Sequence, residues 1–337
     1  MKNRYLSITL LSLVSLMFSA CSGKKYFEPE RTHSAPSSSY GESIVDLSGD
    51  GATLKSKKYI GASGVSSIKL QEGYRFLSES KKYVLSSNVD GVLHIIEKSS
   101  GEVLRAVALH TPIVSASINA GVVAYILNNN TFGIYQIEEN KKIIENRSER
   151  TFAIDTRAAS PIFIDNLAVM PMLDGKLIIV DIYNTDNAKV VYLSSKRAFN
   201  NVVHLSRMGN TLVAATPRNL ITIGNNGKLE YQANISDVSV FGNKVYLFTK
   251  EGDVIKLDSQ LQELAKKKFK FAHYSVATVL DNKVYALDQQ GSLIVLSDDL
   301  SQSKVYDLGE VDKPAFITGT KLYKDGDIIE LSTLGYE

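Results

Sequence analysis

The sequence predicts an all-β propeller: a closed ring of four-stranded blades, about seven in number, or eight if residues 43–80 supply a blade of their own. Three observations predict it. A hairpin phrase returns about every forty residues, a period characteristic of propellers and arrays. It is seen as KKYVLSSNVDGVLHIIEKSSGEVL from Lys81, LAVMPMLDGKLIIVDI from Leu167, NKVYLFTKEGDVIKLDS from Asn243 and NKVYALDQQGSLIVLSDD from Asn282. Along the body β-branched and aromatic residues alternate with polar ones, as half-buried strands require, and the 17 Tyr and 12 Phe fit a strand-rich body. A single such hairpin cannot bury its own apolar face, whereas copies packed side by side can.

The copies align on a strand that begins at Tyr83, Val122, Leu167, Leu212, Val245, Val284 and Leu322. Turn glycines are expected at Gly91, Gly133, Gly175, Gly252, Gly291 and Gly326, with Pro217-Arg218-Asn219 serving in the copy that lacks one. Asp-Gly pairs suit tight hairpins because both central residues tolerate positive φ. Asn166, Asn210, Asn243 and Asn282 each stand just before the aligned strand, the place of a second turn. LDSQLQELAKKKF, near Leu257, reads as a turn followed by an extended strand. The last copy, KLYKDGDIIELSTLGYE, holds only two strands, so strands from both ends of the chain are expected to share the closing blade and remove an exposed edge.

Residues 1–20 read as a secretory signal. Lys2 and Arg4 precede an apolar run from Leu6 to Phe18, and small residues lead into Cys21. Cys21 is the only cysteine, so no internal disulfide forms. Residues 21–42, with Pro29, Pro36 and the serines at 37–39, read as a flexible tether, and residues 43–337 as one propeller domain. Removing residues 1–20 takes two basic side chains and no acids, which reduces the net charge of +2 to zero. A neutral body lacks the basic footprint of a nucleic-acid binder.

The chemistry-bearing residues form no catalytic pattern. His33, His94, His110, His204 and His273 show no metal-ligand spacing. Gly224-Asn225-Asn226-Gly227 lacks the Lys-Ser/Thr of a phosphate loop, and no serine sits in a nucleophile elbow. Asp181, Asp258 and Asp288 recur at strand ends as turn residues. No catalytic, cofactor or metal residue is therefore assigned. Two surface groups are candidates for partner binding. Arg147, Arg150, Arg157, Arg207 and Arg218 recur at loop ends and are expected to line one face of the ring. Lys266, Lys267, Lys268, Phe269 and Lys270 form a basic-aromatic run suited to an acidic partner or headgroup surface, or else an outer strand whose lysines guard an edge.

Two resemblances extend this reading. Phe18-Ser19-Ala20-Cys21 resembles the lipobox of bacterial lipoproteins, which implies acylation of Cys21 as the mature N-terminus. Ser22 in the next position implies an outer-membrane address facing the periplasm. HIIEKSSGEVLRAVAL, His94 to Leu109, resembles the repeat of the pyrroloquinoline-quinone-like propellers: Ser100-Gly101 matches their Thr-Gly turn, and Ala286-Leu287-Asp288 with Gly291 matches the preceding strand and turn. Their repeat tryptophan is absent here. A lipid-anchored propeller of this kind is similar to the BamB family of the outer-membrane β-barrel assembly machinery. That similarity implies a scaffold without catalysis, whose partners are the barrel-forming subunit and unfolded outer-membrane proteins. The rival expectations are a propeller that binds a small ligand or glycan in its channel, and a quinone-dependent dehydrogenase.

Overall fold

The computed structural model describes residues 25–149, 151, 157–193, 200–225 and 227–337. Among them, eight antiparallel sheets follow one another along the chain. Blade two shows the pattern: Arg75–Glu79, Tyr83–Ser87, Val92–Glu97 and Val103–Ala108 pair strictly in sequence order. The second and third strands of a blade are covered on both faces and read as near-continuous apolar runs. In blade three, Val122–Leu127 is buried throughout, and so is Thr131–Gln136 except at its last residue. The fourth strand lies at the rim and alternates, as Val103–Ala108 and Glu263–Lys268 do. Period-2 alternation thus marks the rim, and its loss marks the interior.

The core is not central but distributed between blades. Leu85 and Leu93 of blade two pack with Tyr125 and Tyr135 of blade three. Equivalent clusters join three to four, four to five, five to six, six to seven and seven to eight. Ile44, Ala52 and Leu54 of blade one meet Tyr323 of blade eight, and Tyr59 stacks on Phe76 of blade two at 4.6 Å between ring centroids. Each blade therefore buries its two faces against its neighbours, which is why no blade is stable alone.

Eight blades, rather than about seven, arise because Ile44–Ser48, Gly51–Leu54, Tyr59–Gly61 and Gly64–Val65 form a complete sheet. The strands on which the sequence copies align are the second strands of their blades: Tyr83–Ser87, Val122–Leu127, Leu167–Pro171, Thr211–Ala215, Lys244–Thr249, Lys283–Asp288 and Lys321–Lys324. The last blade contains three C-terminal strands, Phe316–Thr318, Lys321–Lys324 and Asp327–Glu330, and takes its fourth from Ser37–Ser39. The ring is closed by strands from both ends, as expected.

That closure corrects the expectation of a free tether for the described part of residues 21–42, from residue 25 on; residues 21–24 lie outside the described residues. His33–Ser34 pairs in parallel with Tyr306 and Asp307 as a fifth strand of blade seven. Ser37–Ser39 pairs antiparallel with Asp327, Ile328 and Ile329. Phe27 packs edge-to-face on Phe269 at 5.8 Å. A polar segment without apolar period can still order when a sheet edge satisfies its backbone.

The turns explain the glycines. Gly252 and Gly291, between second and third strands, have φ of 82° and 94°. A Cβ at Gly252 would lie 2.1 Å from the Phe269 carbonyl oxygen, and one at Gly291 would lie 1.7 Å from that of Gly309. In each case the chain leaving the blade folds back over the turn, and Phe269 N donates to Gly252 O while Leu308 N donates to Gly291 O. Gly133 does not have this role. It lies inside Thr131–Gln136, where a Cβ would fall 2.3 Å from the Tyr125 ring, and Asn130 at φ 64° takes the turn position instead. The turns ahead of the second strands also bend through positive φ, at Asp165, Gly209, Gly242, Asp281 and Asn282. Leu257 ends a strand and Glu263–Lys268 begins the next, as the turn-and-strand reading required.

Candidate functional site

The meander gives the ring two unlike faces. Turns between strands one and two, and between three and four, lie on the first face. Turns between strands two and three, together with the blade-to-blade connections, lie on the second. Most connections are brief, such as 109–112 between Ala108 and Ile113. Two are long: 148–161, between Arg147 and Ile162, and 193–203, between Tyr192 and His204. Residues 150, 152–156 and 194–199 of them lie outside the described residues.

Beside these connections, a groove of about 790 Å³ lies between blades four and five. Lys176, almost wholly buried, spans Asp174 at 3.0 Å and Glu149 at 3.2 Å. Burial alone would lower its pKa, but the two carboxylates outweigh that and raise it. Its ammonium also stands 5.4 Å from the ring centre of Tyr192, which is 58% exposed. Lys228 donates to the Tyr192 carbonyl at 2.8 Å, and Arg218 completes the wall. An exposed aromatic ringed by both signs of charge is the composition of a protein-binding surface.

The first strands of the blades surround the channel. Asp237, half-buried on that of blade six, lies against the first strand of blade seven. Loss of solvation there pushes its carboxyl up to about 6, against hydrogen bonds from Ala277 N and Val238 N and the charge of Arg157. Arg157 donates to the carbonyls of Ser236 and Ile235. Asp50, exposed in a turn of blade one, stands beside Ser117 and Ser160 at the mouth on the first face. Desolvation lowers His204 to about 4, and its Nε2 lies 2.8 Å from Ser206 Oγ. Arg75 spans three blades, at 3.3 Å from Asp46 and 2.6 Å from the Ile113 carbonyl. Sequence reasoning missed these channel groups, because only ring closure brings residues so far apart in the chain together.

The arginines do not share one face. Arg147 and Arg218 lie on the second face, and Arg157 turns inward to the channel. Arg207 lies at the opposite end of its strand, on the first face, where it donates to Gly209 O at 2.5 Å and to Asn210 Oδ1 at 3.1 Å. The alternation of turns puts a residue at the end of a first strand opposite one at the end of a fourth. Arg150 and Cys21 lie outside the described residues. Lys266 and Lys268 extend along the rim strand toward Asp253, at 3.7 and 3.5 Å. Phe269 is buried, and Lys270 stands over Phe271.

Among the described residues no group of three His, Cys, Asp or Glu is placed to hold a metal ion, and no helix is long and apolar enough to cross a membrane. The histidines are dispersed, and His94 is buried in a stack with Tyr74 at 4.0 Å.

This geometry has known counterparts. The crystal structure of BamB from Moraxella catarrhalis superposes with a TM-score of 0.66 at 14% identity, covering 88% of this chain and 98% of that one. In fold, the chain is a BamB-like propeller. Sqt1 of Saccharomyces cerevisiae superposes with a TM-score of 0.65 at 12% identity, covering 89% of this chain and 98% of that one; at such identities the likeness is one of architecture. No family model matches the chain. Two curated relatives are both named plasminogen-binding protein PgbB, from Helicobacter pylori strains J99 and 26695. Each is 26% identical, over 80% and 79% of this BamB-like chain. The chain spans only 58% and 57% of their length.

Proposed function

We propose that this chain is a non-catalytic, protein-binding propeller, held on the periplasmic side of the outer membrane by acyl groups on Cys21. The observation that carries the binding reading is the second face between blades four and five, where two long connections border a groove of mixed charge around exposed Tyr192. Such loops on a rigid ring are where propellers carry recognition. The likeness in fold to BamB supports a scaffold role in outer-membrane protein assembly, with the barrel-forming subunit as partner. Unfolded client chains would add to an exposed rim strand by β-augmentation. Asn184–Tyr192, nine residues long and largely exposed, is the rim strand best suited to that.

A second reading is favoured by the relatives' name: a propeller that displays a surface for plasminogen. One experiment separates the two. A photo-crosslinker is placed at Tyr192 or Arg218 in the intact lipoprotein and activated in cells. Adducts with the barrel-assembly subunit support the scaffold. No such adduct, with saturable plasminogen binding lost in Tyr192→Ala, supports the second reading. The absence of both the adduct and plasminogen binding would remove the groove from both roles.

A further inference from the structure

Phe271 is unusual in two ways. Its backbone takes φ of 68°, a left-handed conformation that bulky side chains avoid, and its ring stays 36% exposed. Residues held in such conformations are often held there for a role. Two ammonium groups attend the ring: Lys270 Nζ at 5.1 Å and Lys25 Nζ at 5.6 Å from its centre. Phe269, two residues earlier, fixes Phe27 and so sets where the N-terminal segment leaves the ring. Tyr26, 43% exposed, adjoins. Lys267 lies on the same rim strand but, unlike Lys266 and Lys268, is not directed at Asp253. Glu28 and Glu30 of the N-terminal segment line one groove with Lys267, Lys268 and Lys270, whereas Lys25 and Lys270 are the cations set over the Phe271 ring.

Cys21 is four residues before Lys25. At roughly 3.3–3.6 Å per residue it lies no more than about 14 Å away. We propose that this corner of the ring rests on an anionic bilayer. Phe271 and Tyr26 sit at the depth of the headgroups, and Lys25 and Lys270 meet lipid phosphates. Aromatic rings with basic neighbours are the side chains that favour that interface. The inference rests on the reading of Cys21 as a lipid anchor and adds what the anchor alone does not give: one orientation of the ring. Phe271 and the groove at Tyr192 both lie on the second face, so with this corner down that face takes one fixed tilt to the bilayer rather than tumbling.

The chain has no Trp, so a single introduced indole reports its own surroundings. Phe271→Trp is compared with Tyr183→Trp, a position 86% exposed on the first face of blade four. Both are made in the acylated protein, reconstituted on vesicles with brominated acyl chains, with and without phosphatidylglycerol. The F271W indole is expected to be quenched about twofold more with phosphatidylglycerol than without, and Y183W to be unchanged. Lys25→Glu with Lys270→Glu should abolish that difference while flotation persists. Flotation with F271W unquenched overturns the docked orientation and leaves the anchor standing. Failure of the wild-type protein to float overturns both. Equal quenching on neutral vesicles, or shielding of F271W only by an acidic protein, overturns the anionic bilayer as the occupant.

Discussion

Lys256 of blade six reaches into blade seven, where its ammonium lies 2.5 Å from the Asp298 carboxylate and 3.1 Å from the Asp298 carbonyl oxygen. The Tyr246 hydroxyl donates to the same carboxylate. Burial alone would raise Asp298, but the hydrogen bonds from Lys256 and Tyr246 outweigh it and hold the carboxyl below its usual range. The apolar cluster between these blades does not depend on a matched pairing of polar atoms; this contact does, and it fixes how one sheet is set against the next.

Lys256→Ala should therefore destabilise the ring by about 1–2 kcal/mol, the low end for a charged hydrogen bond because Asp298 is 41% exposed. Asp298→Asn, which keeps an acceptor, should cost less. Urea unfolding followed by circular dichroism checks both. Equal stability of all three proteins would show that apolar packing alone sets the blade angle.

Gly291→Ala should be far more damaging than Gly121→Ala. Both glycines have positive φ, 94° and 81°, so each substitution carries a backbone cost of about 1 kcal/mol. Only at Gly291 would the new methyl also meet a backbone oxygen, 1.7 Å away; at Gly121 nothing lies within 4 Å. The midpoint of chemical unfolding should fall modestly for Gly121→Ala and by at least twice as much for Gly291→Ala.

Ring closure can be tested at Ser37 and Ser38. Placing Pro at both removes a ladder donor whichever of the two is paired. Hydrogen exchange should then quicken in Lys321–Lys324 and Asp327–Glu330, while Val122–Leu127, across the ring, keeps its protection. Uniform protection in the variant would mean that the N-terminal strand contributes nothing to blade eight.

Channel acids make stability depend on pH. Asp237 sits at about 6 against an ordinary 3.8. Between those values the folded chain holds a proton that the unfolded chain has released, so stability falls as pH rises through that window. His204, lowered from 6.5 to about 4, acts in the opposite sense: stability is lost as pH falls through that range. Relative to wild type, Asp237→Asn should gain melting temperature from about pH 4 to about pH 6 and level off above. His204→Gln should gain as pH falls from about 6.5. Thermal melts across that range check both signs.

The blades legible in the sequence are those whose second and third strands are apolar throughout, as Val245-Tyr246-Leu247-Phe248 is. Blade one was only an alternative in the sequence because its strands are short and carry glycines at Gly51, Gly61 and Gly64. Ser37–Ser39 was illegible as a strand, since all three residues are exposed and only backbone pairing holds them. Gly133 was misread because a glycine that makes room for a tyrosine ring looks the same in sequence as one that makes a turn. The Lys266–Lys270 run was legible as a rim strand, but its link to Lys25 through Phe271 depends on a fold-back that no local pattern encodes. Arg157 and Asp237 meet only once the inner strands converge.

The seam of the ring joins Ser37 to Ile329 and His33 to Tyr306. Ribosomes make the first partner of each pair almost a whole chain length before the second. Until the C-terminal strands emerge, blades seven and eight present raw edges, and contacts this distant in sequence form slowly. Until then, the early residues must be kept from pairing with anything else. A protein of this build should lean on chaperones late in its maturation, and truncation even a few residues short of Ile329 should cost it the whole circle rather than one strand.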